Sequence, residues 1–312
     1  MSGAGVVAYR SGERASRNLT WVDRTGKIVG MAGEPDANDL LWPELSPEGR
    51  RVAMQRTVQG NPDIWLLDLA RGGRTRLTLD AARDTNPLWS PDGMRLAFGS
   101  NRTGTFDLYV KPSNGSGAEE RLVNSPNTKA PQDWSRDGRW LVYYEVNPTS
   151  GPDLLALDMT SQDRTPRVVT NTPATEVLAA LSPDGRWVES QTNESGRFEV
   201  VVQSFPDAGG KWPVSTAGGA APRWRADGKE LYFLAPDATM MAVRVTVAGT
   251  SFEAGTPVAL FPTRIVDGGT VAINRPQYAV ARDGRFLINQ PVGDATAAPI
   301  TLILNWHPDA KK

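Results

Sequence analysis

The sequence predicts an all-β fold, a β-propeller of four-stranded antiparallel blades, and two observations carry this prediction. First, six short turns that end in Gly recur along the chain, each between two apolar segments. Second, these turns begin at residues 46, 90, 135, 182, 225 and 281, so that successive steps are 44, 45, 47, 43 and 56 residues. A period of this length, filled with strands, is typical of propeller blades.

The repeat that contains Ser90-Pro91-Asp92-Gly93 shows the strand order most clearly. This tetrapeptide forms a tight turn because Pro fixes φ, Asp bonds to the backbone that follows, and Gly accepts a positive φ. An apolar strand ends at Trp89, two more cover residues 96–98 and 106–110, and a short outer strand covers residues 120–123. Four strands in about 40 residues make one antiparallel blade.

The number of blades depends on how the two ends of the chain are assigned. Residues 6–9, 19–22 and 28–30 read as the second, third and fourth strands of a partial blade, and residues 286–288 and 301–304 read as the second and third strands of another. Seven turn positions, one of them a remnant at the N-terminus, give about 45 residues per blade, which matches the repeat. We therefore favour seven blades, in a single domain that comprises residues 1–312. The alternative is six blades, with the N-terminal strands completing the last one.

Scaffold roles account for the aromatic and charged residues that recur with the turns. Four tryptophans precede or approach a turn, where a large flat side chain can fill the wedge between neighbouring blades: Trp42, Trp89, Trp134 and Trp224. Two pairs face each other across the second hairpin of a blade, and we expect them to form local ion pairs: Arg56 with Asp63, and Arg102 with Asp107.

Composition excludes several classes of function. The 34 basic and 35 acidic residues nearly cancel, so that no attraction to nucleic acid or to a membrane surface is indicated. The chain has no Cys, which excludes disulfides and thiolate chemistry, and its one histidine is His307, which leaves little for a Ser-His-Asp triad or a multi-histidine metal site. The longest apolar runs, such as residues 300–304, are the length of a strand and do not predict membrane insertion.

The repeated Trp/Leu-Ser-Pro-Asp-Gly-Arg element, followed by an apolar strand and an Asp-Ile/Leu-Trp/Tyr strand, resembles the repeat of TolB-like and WD-like β-propellers. Residues 18–27 and 300–306 further resemble the propellers attached to bacterial eukaryotic-like serine/threonine kinases. The chain contains no kinase Gly-rich loop, His-Arg-Asp or Asp-Phe-Gly, so the resemblance implies a sensor or interaction domain and not kinase activity. It also implies an extracytoplasmic or periplasmic location if the chain is a segment of a membrane-anchored protein. Without such a parent we expect a cytoplasmic protein, because no signal peptide is evident.

We expect a non-catalytic module that binds a protein or peptide segment at one mouth of the central channel, and we expect it to be a monomer. The segments that lead into the innermost strands point to that mouth and carry the candidate ligand-binding residues, which are Asp39, Asp84, Asn86, Lys129, Gln132, Glu176, Arg223, Asn274 and Arg275. Their mixed polarity suits a peptide better than a nucleic acid. For each of them the alternative is a solvated loop residue chosen for its turn chemistry.

Two other classes of function remain open at this point. Asp39, Asp84 and Glu176 could hold a Ca²⁺ ion or provide an acid/base pair for a hydrolase or lyase at the channel mouth, although residues from separate blades follow no spacing rule. The domain could also be a structural scaffold. A deep pocket with converging carboxylates favours catalysis, an open polar funnel favours peptide binding, and a plugged channel favours scaffolding.

Overall fold

Six antiparallel sheets form the blades of a propeller in the computed structural model, which describes residues 7–10, 16–207, 209–265, 276–293 and 300–303. Blade 1 consists of β4 (Leu41–Leu45), β5 (Arg51–Val58), β6 (Asn61–Asp68) and β7 (Arg74–Arg76). Blade 2 consists of β8 (Asp84–Trp89), β9 (Arg95–Thr103), β10 (Thr105–Pro112) and β11 (Glu120–Arg121). Blade 3 consists of β12 (Lys129–Trp134), β13 (Trp140–Asn147), β14 (Gly151–Asp158) and β15 (Arg167–Val168). In each blade the strands pair in chain order.

The second half of the ring contains the longest blade and the closing one. Blade 4 consists of β16 (Glu176–Leu181), β17 (Trp187–Thr192), β18 (Glu199–Ser204) and β19 (Lys211–Pro213). Blade 5 consists of β20 (Ala220–Trp224), β21 (Glu230–Leu234), β22 (Thr239–Ala248) and β24 (Val258–Pro262), while β23 (Ser251–Ala254) pairs with the far half of β22. Blade 6 consists of β25 (Tyr278–Val280), β26 (Phe286–Pro291), β2 (Arg17–Val22) and β3 (Ile28–Met31).

The preference for seven blades was wrong, and the six-blade alternative is correct. The N-terminal strand β2 pairs with β26 from Arg17↔Pro291 to Val22↔Phe286, so that the two partial repeats of the sequence are halves of one blade. The predicted second strand of the N-terminal repeat and third strand of the last repeat are β1 (Val7–Arg10) and β27 (Ile300–Ile303), which pair with each other outside the blades. Dividing the chain length by the repeat length overestimated the number of blades, because the two-stranded sheet of β1 and β27 adds residues that belong to no blade.

The turns at the ends of the innermost strands fold as the sequence predicts. In blade 2 the amide of Gly93 donates to the carbonyl of Ser90 at 2.8 Å, and the Ser90 hydroxyl donates to Asp92 Oδ1 at 2.5 Å. Gly93 has a φ of +70°, which a residue with a side chain rarely adopts. We call the end of the ring that carries these turns the turn face, and the opposite end, where the innermost strands begin, the strand-start face.

Trp89 fills the wedge between blades 1 and 2. Its side chain is 4% exposed and packs in one apolar cluster with Ala53 and Leu66 of the preceding blade. Its indole N–H donates to the carbonyl of Glu44 at 3.1 Å, so that the polar atom of the ring is also satisfied in blade 1. Trp134 and Trp224 lie in the equivalent clusters between blades 2 and 3 and between blades 4 and 5. Trp42 is also buried, but it lies further from the turn and has a φ of 55°.

The two ion pairs expected across the second hairpins do not form. Arg56 and Asp63 are register partners, yet Arg56 Nε binds Asp36 Oδ2 at 2.5 Å and Asp63 Oδ2 binds Arg76 at 2.8 Å. Two residues that are register partners need not form an ion pair, because their side chains can also reach partners on a neighbouring strand or loop. In blade 2, likewise, Arg102 and Asp107 bind other partners, which are described below. Across the described ranges no helix is long and apolar enough to cross a membrane.

We expect Trp89→Ala to lower the free energy of unfolding by about 3–5 kcal/mol, because the substitution leaves a cavity between two blades. Urea denaturation followed by circular dichroism measures this loss. Met94→Ala is the control, since Met94 is 69% exposed beside the same turn and its truncation should cost less than about 0.5 kcal/mol. A loss below about 1 kcal/mol for Trp89→Ala would contradict the wedge role.

Candidate functional site

A β-bulge interrupts the innermost strand of blades 1 to 5 at the same height. In each case the register with the second strand shifts by one residue, as between Leu41 and Glu44 in blade 1 or Thr85 and Leu88 in blade 2. A bulge leaves one residue unpaired and bends the strand. At four of the five bulges a non-glycine residue has a φ of 55° or 56°, and these residues are Trp42, Asn86, Leu178 and Ala221. The innermost strands therefore bend together where they line the channel.

A cleft of about 540 Å³ opens on the strand-start face between blades 1, 2 and 3. Three of the predicted site residues, Asp39, Asn86 and Lys129, line it. Its apolar part is aromatic, formed by Trp42, Phe106 and Tyr144, and its polar part includes Gln55, Thr57, Arg83, Thr85 and Thr128. Three of its residues other than glycine, Asp39, Trp42 and Asn86, have left-handed backbone conformations with φ of 54°, 55° and 56°. Such strained positions are concentrated at binding and catalytic sites in proteins.

Lys129 contributes to the wall of this cleft while its ammonium group is held by the scaffold. The side chain is 0% exposed, and Nζ lies 2.9 Å from Asp107 Oδ1 in blade 2. The ammonium also donates to the carbonyls of Ser125 and Asn127 at 3.1 and 2.6 Å. Asp107 in turn accepts from Arg121 Nε at 2.7 Å, and this is the partner it has in place of Arg102. The pair Lys129–Asp107 thus joins blades 2 and 3.

Asp84 occupies the corresponding place between blades 1 and 2. It is fully buried, and Arg102 Nη2 donates to Asp84 Oδ1 at 3.2 Å. Burial raises the pKa of Asp84, and the Arg102 guanidinium only partly opposes that shift. The neighbouring Asp63 of blade 1 also has a raised pKa because of burial, with Arg76 opposing it and Asp84 adding to it. Asp84 is therefore part of a buried charge network.

Glu176 and Gln132 are also buried. Glu176 accepts the hydroxyl proton of Thr172 at 2.7 Å, and burial raises the pKa of Glu176. Its second oxygen, Oε2, has no hydrogen-bond partner among the described residues. The amide of Gln132 donates to the carbonyl of Pro131 at 3.1 Å. Two further candidates, Asn274 and Arg275, lie outside the described residues. The role of all nine as ligand-binding residues stays a prediction.

Arg223 lies inside the channel, where charged residues of alternate blades meet. Its Nη2 is 3.8 Å from Glu44 Oε2, which joins blade 5 to blade 1. Asp133 of blade 3 accepts the amides of Leu181 and Trp134 at 2.6 and 2.8 Å, and desolvation raises the pKa of Asp133. We call Glu44, Asp133 and Arg223 the channel waist. All three stand two residues before the first turn residue, and blades 2, 4 and 6 have Leu88, Ala180 and Ala279 at this position.

Glu189 is the least satisfied polar side chain near the waist. It is 0% exposed, and neither carboxylate oxygen has a hydrogen-bond partner among the described residues. Burial raises the pKa of Glu189 well above its usual value, while the Arg223 guanidinium opposes the shift and Asp133 adds to it. Sequence reasoning missed Glu44, Asp133 and Glu189. The position two residues before each turn would have drawn attention to the first two, whereas Glu189 reads as an ordinary polar residue of a strand.

We expect Glu189→Gln to be more stable than the parent protein at pH 8, and the difference should grow as the pH rises. A carboxyl whose pKa is raised on folding contributes most to stability below its unfolded-state pKa of about 4.3, and this contribution is lost as the pH rises through the folded-state pKa. Urea midpoints between about pH 4 and pH 9 measure the effect. Glu253→Gln on the exposed face of β23 is the control for loss of one carboxylate. If Glu189→Gln were less stable than the parent at pH 8, Glu189 would instead be ionised and held by Arg223.

The sequence of this chain is similar to those of several known proteins. The TolB beta propeller domain matches residues 7–156. The uncharacterized peptidase YuxL of Bacillus subtilis is 31% identical over 128 residues, which are 39% of this chain and 19% of that protein. A TolB homolog of Chlorobium chlorochromatii is 36% identical over 78 residues, 25% of this chain and 17% of that protein. This chain thus spans about a fifth of the length of either relative.

Structural similarity extends over more of the chain. The putative TolB from Agrobacterium tumefaciens superposes with a TM-score of 0.68 at 19% identity, covering 91% of this chain and all of that one. At this identity the superposition speaks for the fold alone. The resemblance to kinase-attached propellers stays a prediction. The repeat, the six-bladed ring and these similarities together show that the chain resembles TolB-like β-propellers.

Proposed function

We propose that the protein is a non-catalytic module that binds a protein or peptide segment in the cleft on the strand-start face. The observation that carries this proposal is the combination of an aromatic surface with polar groups in one open cleft, made by Trp42, Phe106, Asn86 and their neighbours. Aromatic side chains supply contact area at a low cost in conformational entropy, and neighbouring amides and hydroxyls supply hydrogen bonds to a peptide backbone.

The size and charge of the cleft fit the same proposal. A volume of about 540 Å³ accommodates a few residues of an extended chain. Asp39 and Arg83 bring opposite charges to the rim, so that neither a polyanion nor a polycation is favoured. Lys129 is neutralised by Asp107 and strengthens the wall without attracting anions. A segment of mixed polarity is therefore the occupant that the cleft accommodates best.

Peptide binding is better supported than catalysis by carboxylates. The three acids considered for a Ca²⁺ site or an acid/base pair lie apart: Asp39 lines the cleft, Asp84 lies between blades 1 and 2, and Glu176 lies at the start of blade 4. Within the described ranges, no three His, Asp or Glu side chains converge as metal ligands. The peptidase name belongs to YuxL, of which this chain spans 19%.

We further propose that the protein acts outside the cytoplasm as a sensor or interaction domain. We also propose that it is a monomer. The TolB-like fold and the resemblance of residues 18–27 to kinase-attached propellers support the first of these proposals. Fractionation of the native organism, followed by immunoblotting with an antibody against this domain, would test the location.

We expect Phe106→Ala to weaken binding of a selected peptide about tenfold, because it removes the half-buried aromatic contact of the cleft. Peptides are first selected from a random displayed library on the purified parent protein, and their affinities are then measured by calorimetry. Met94→Ala, on the turn face, is the control and should bind as the parent does. Peptides whose affinity is the same for the parent and Phe106→Ala would contradict the proposed cleft.

A further inference from the structure

Arginine side chains cover two of the tryptophans that fill the wedges between blades. The guanidinium carbon of Arg51, in blade 1, lies 4.5 Å from the ring centroid of Trp89, in blade 2. One step further along the ring, the guanidinium carbon of Arg95 lies 5.1 Å from the ring centroid of Trp134. Each of these arginines is the sixth residue counted from the first residue of its turn. The repeat therefore contains a position for a guanidinium group at the turn-face end of a blade interface.

Three groups besides the indole contact Arg51 at this position. Its Nη2 donates to the carbonyl of Gly93, the last turn residue of blade 2, at 3.2 Å. Its Nε donates to Glu48 Oε1, in the turn of its own blade, at 3.2 Å. A longer contact of 3.5 Å joins Nη1 to the hydroxyl of Ser113. An aromatic face, a carbonyl and a carboxylate together match the planar, five-donor guanidinium group.

The same position between blades 4 and 5 is occupied differently. The sixth residue from the start of the blade 4 turn is Trp187. Its ring packs against Trp212 and Phe252, with centroid separations of 5.2 and 5.3 Å. Within the described part of the chain no arginine stacks on Trp224, which precedes the blade 5 turn as Trp89 precedes that of blade 2. Blade 4 thus supplies no guanidinium like that of Arg51.

A pocket of about 640 Å³ lies at this place on the turn face. Among its lining residues are the counterparts of the indole, the turn glycine and the turn carboxylate around Arg51, namely Trp224, Gly228 and Asp184. Val245 replaces Ser113, since its amide bonds to the same turn position of the blade. Residues 245–247, in the part of β22 that pairs with β23, also line the pocket.

The polar groups of this pocket can accept further hydrogen bonds. The Gly228 carbonyl accepts none from the described residues, whereas the Gly93 carbonyl accepts from Arg51. Asp184 binds Arg186 at 2.8 Å, but its side chain is 45% exposed, and a carboxylate can accept about four hydrogen bonds. Acidic and basic lining residues are equal in number, which are Asp184, Asp227 and Glu230 with Arg225, Lys229 and Arg244. The contacts, and not the net charge, therefore select the ligand.

We propose that this pocket binds the guanidinium group of an arginine side chain presented by a partner protein. The arginine repeats the contacts of Arg51: it stacks on Trp224 and donates to the Gly228 carbonyl and the Asp184 carboxylate. A lysine ammonium fits less well, because it has no planar face and no fork of donors. The volume of about 640 Å³ also leaves room for neighbouring atoms of the partner. The pocket is separate from the peptide cleft, so this inference does not depend on the function proposed above.

The test uses the full chain labelled with the heavy nitrogen isotope, and NMR follows the indole N–H signals of Trp224 and Trp89. Each signal is assigned from its loss in Trp224→Phe or Trp89→Phe. The probe is the N-acetylated, C-amidated peptide Gly-Arg-Gly, compared with peptides that carry lysine or citrulline, the uncharged analogue of arginine, at the central position. Asp184→Asn removes the acidic group of the pocket. Glu48→Gln is the matched control, because it changes the same turn residue at the interface that Arg51 already fills.

We expect the arginine peptide to shift the Trp224 signal of the parent protein saturably, and the citrulline and lysine peptides to bind at least about tenfold more weakly. Asp184→Asn should weaken binding of the arginine peptide about threefold or more, because a charge-assisted hydrogen bond is lost while the bond from the Ser182 hydroxyl can still form. Glu48→Gln should bind as the parent does. An unchanged Trp224 signal, equal binding of the citrulline peptide, or the same loss in both variants would overturn the proposal.

A second variant tests the equivalence of the two interfaces. Arg51→Ala opens between blades 1 and 2 a place with the same kind of indole, carbonyl and carboxylate. The arginine peptide should then also shift the Trp89 signal, which it leaves unchanged in the parent. If Trp89 does not respond in a folded Arg51→Ala protein, this position does not bind an external guanidinium and the proposal is wrong.

Discussion

The structure depends on the covering of each blade by its two neighbours. A single four-stranded sheet has two apolar faces, and neither can remain in water. Five apolar clusters cover the six interfaces, and the largest of them serves two, between blades 3 and 4 and between blades 5 and 6. The residue in front of each turn decides how well the wedge is filled, which is why Trp89, Trp134 and Trp224 recur there. Side chains that reach across the interfaces, such as Lys129, add charge pairs to the same contacts.

The turns and strands of each blade could be predicted from the sequence, whereas the pairing of strands far apart in the chain could not. The Ser-Pro-Asp-Gly turns and the apolar segments around them predict the strands of each blade, because turn geometry depends on neighbouring residues only. The number of blades depends on whether β2 pairs with β26, and no local pattern reports a contact between residues 19 and 289. The ion pairs of Arg56 and Arg102 failed for a related reason, since a long side chain chooses among partners that only the assembled ring brings near.

The positions of the candidate site residues could likewise be predicted only in part. Asp39 and Asn86 line the cleft because they precede or lie in innermost strands that start on that face, and their role as ligand-binding residues stays a prediction. Lys129 also lines the cleft, but its side chain is buried, whereas Asp84 and Glu176 are buried and do not line it. Which way a side chain turns next to a bulge is set by the bend of the strand, which the sequence does not reveal. The cleft on the strand-start face is aromatic and polar, and the Glu44–Arg223 pair belongs to the channel waist.

The closing blade has a consequence for how the chain folds as it is synthesised. Strands β2 and β3 are synthesised before blades 1 to 5, but the rest of their own blade, β25 and β26, follows about 250 residues later. Until then Leu19 and its neighbours have no sheet to cover them, and blade 1 lacks its neighbour on one side. Blades 1 to 5 can stack one after another during translation, whereas the ring gains its final stability in a single late step. A chaperone that shields β2 and β3 would therefore have to act until β25 and β26 have been synthesised.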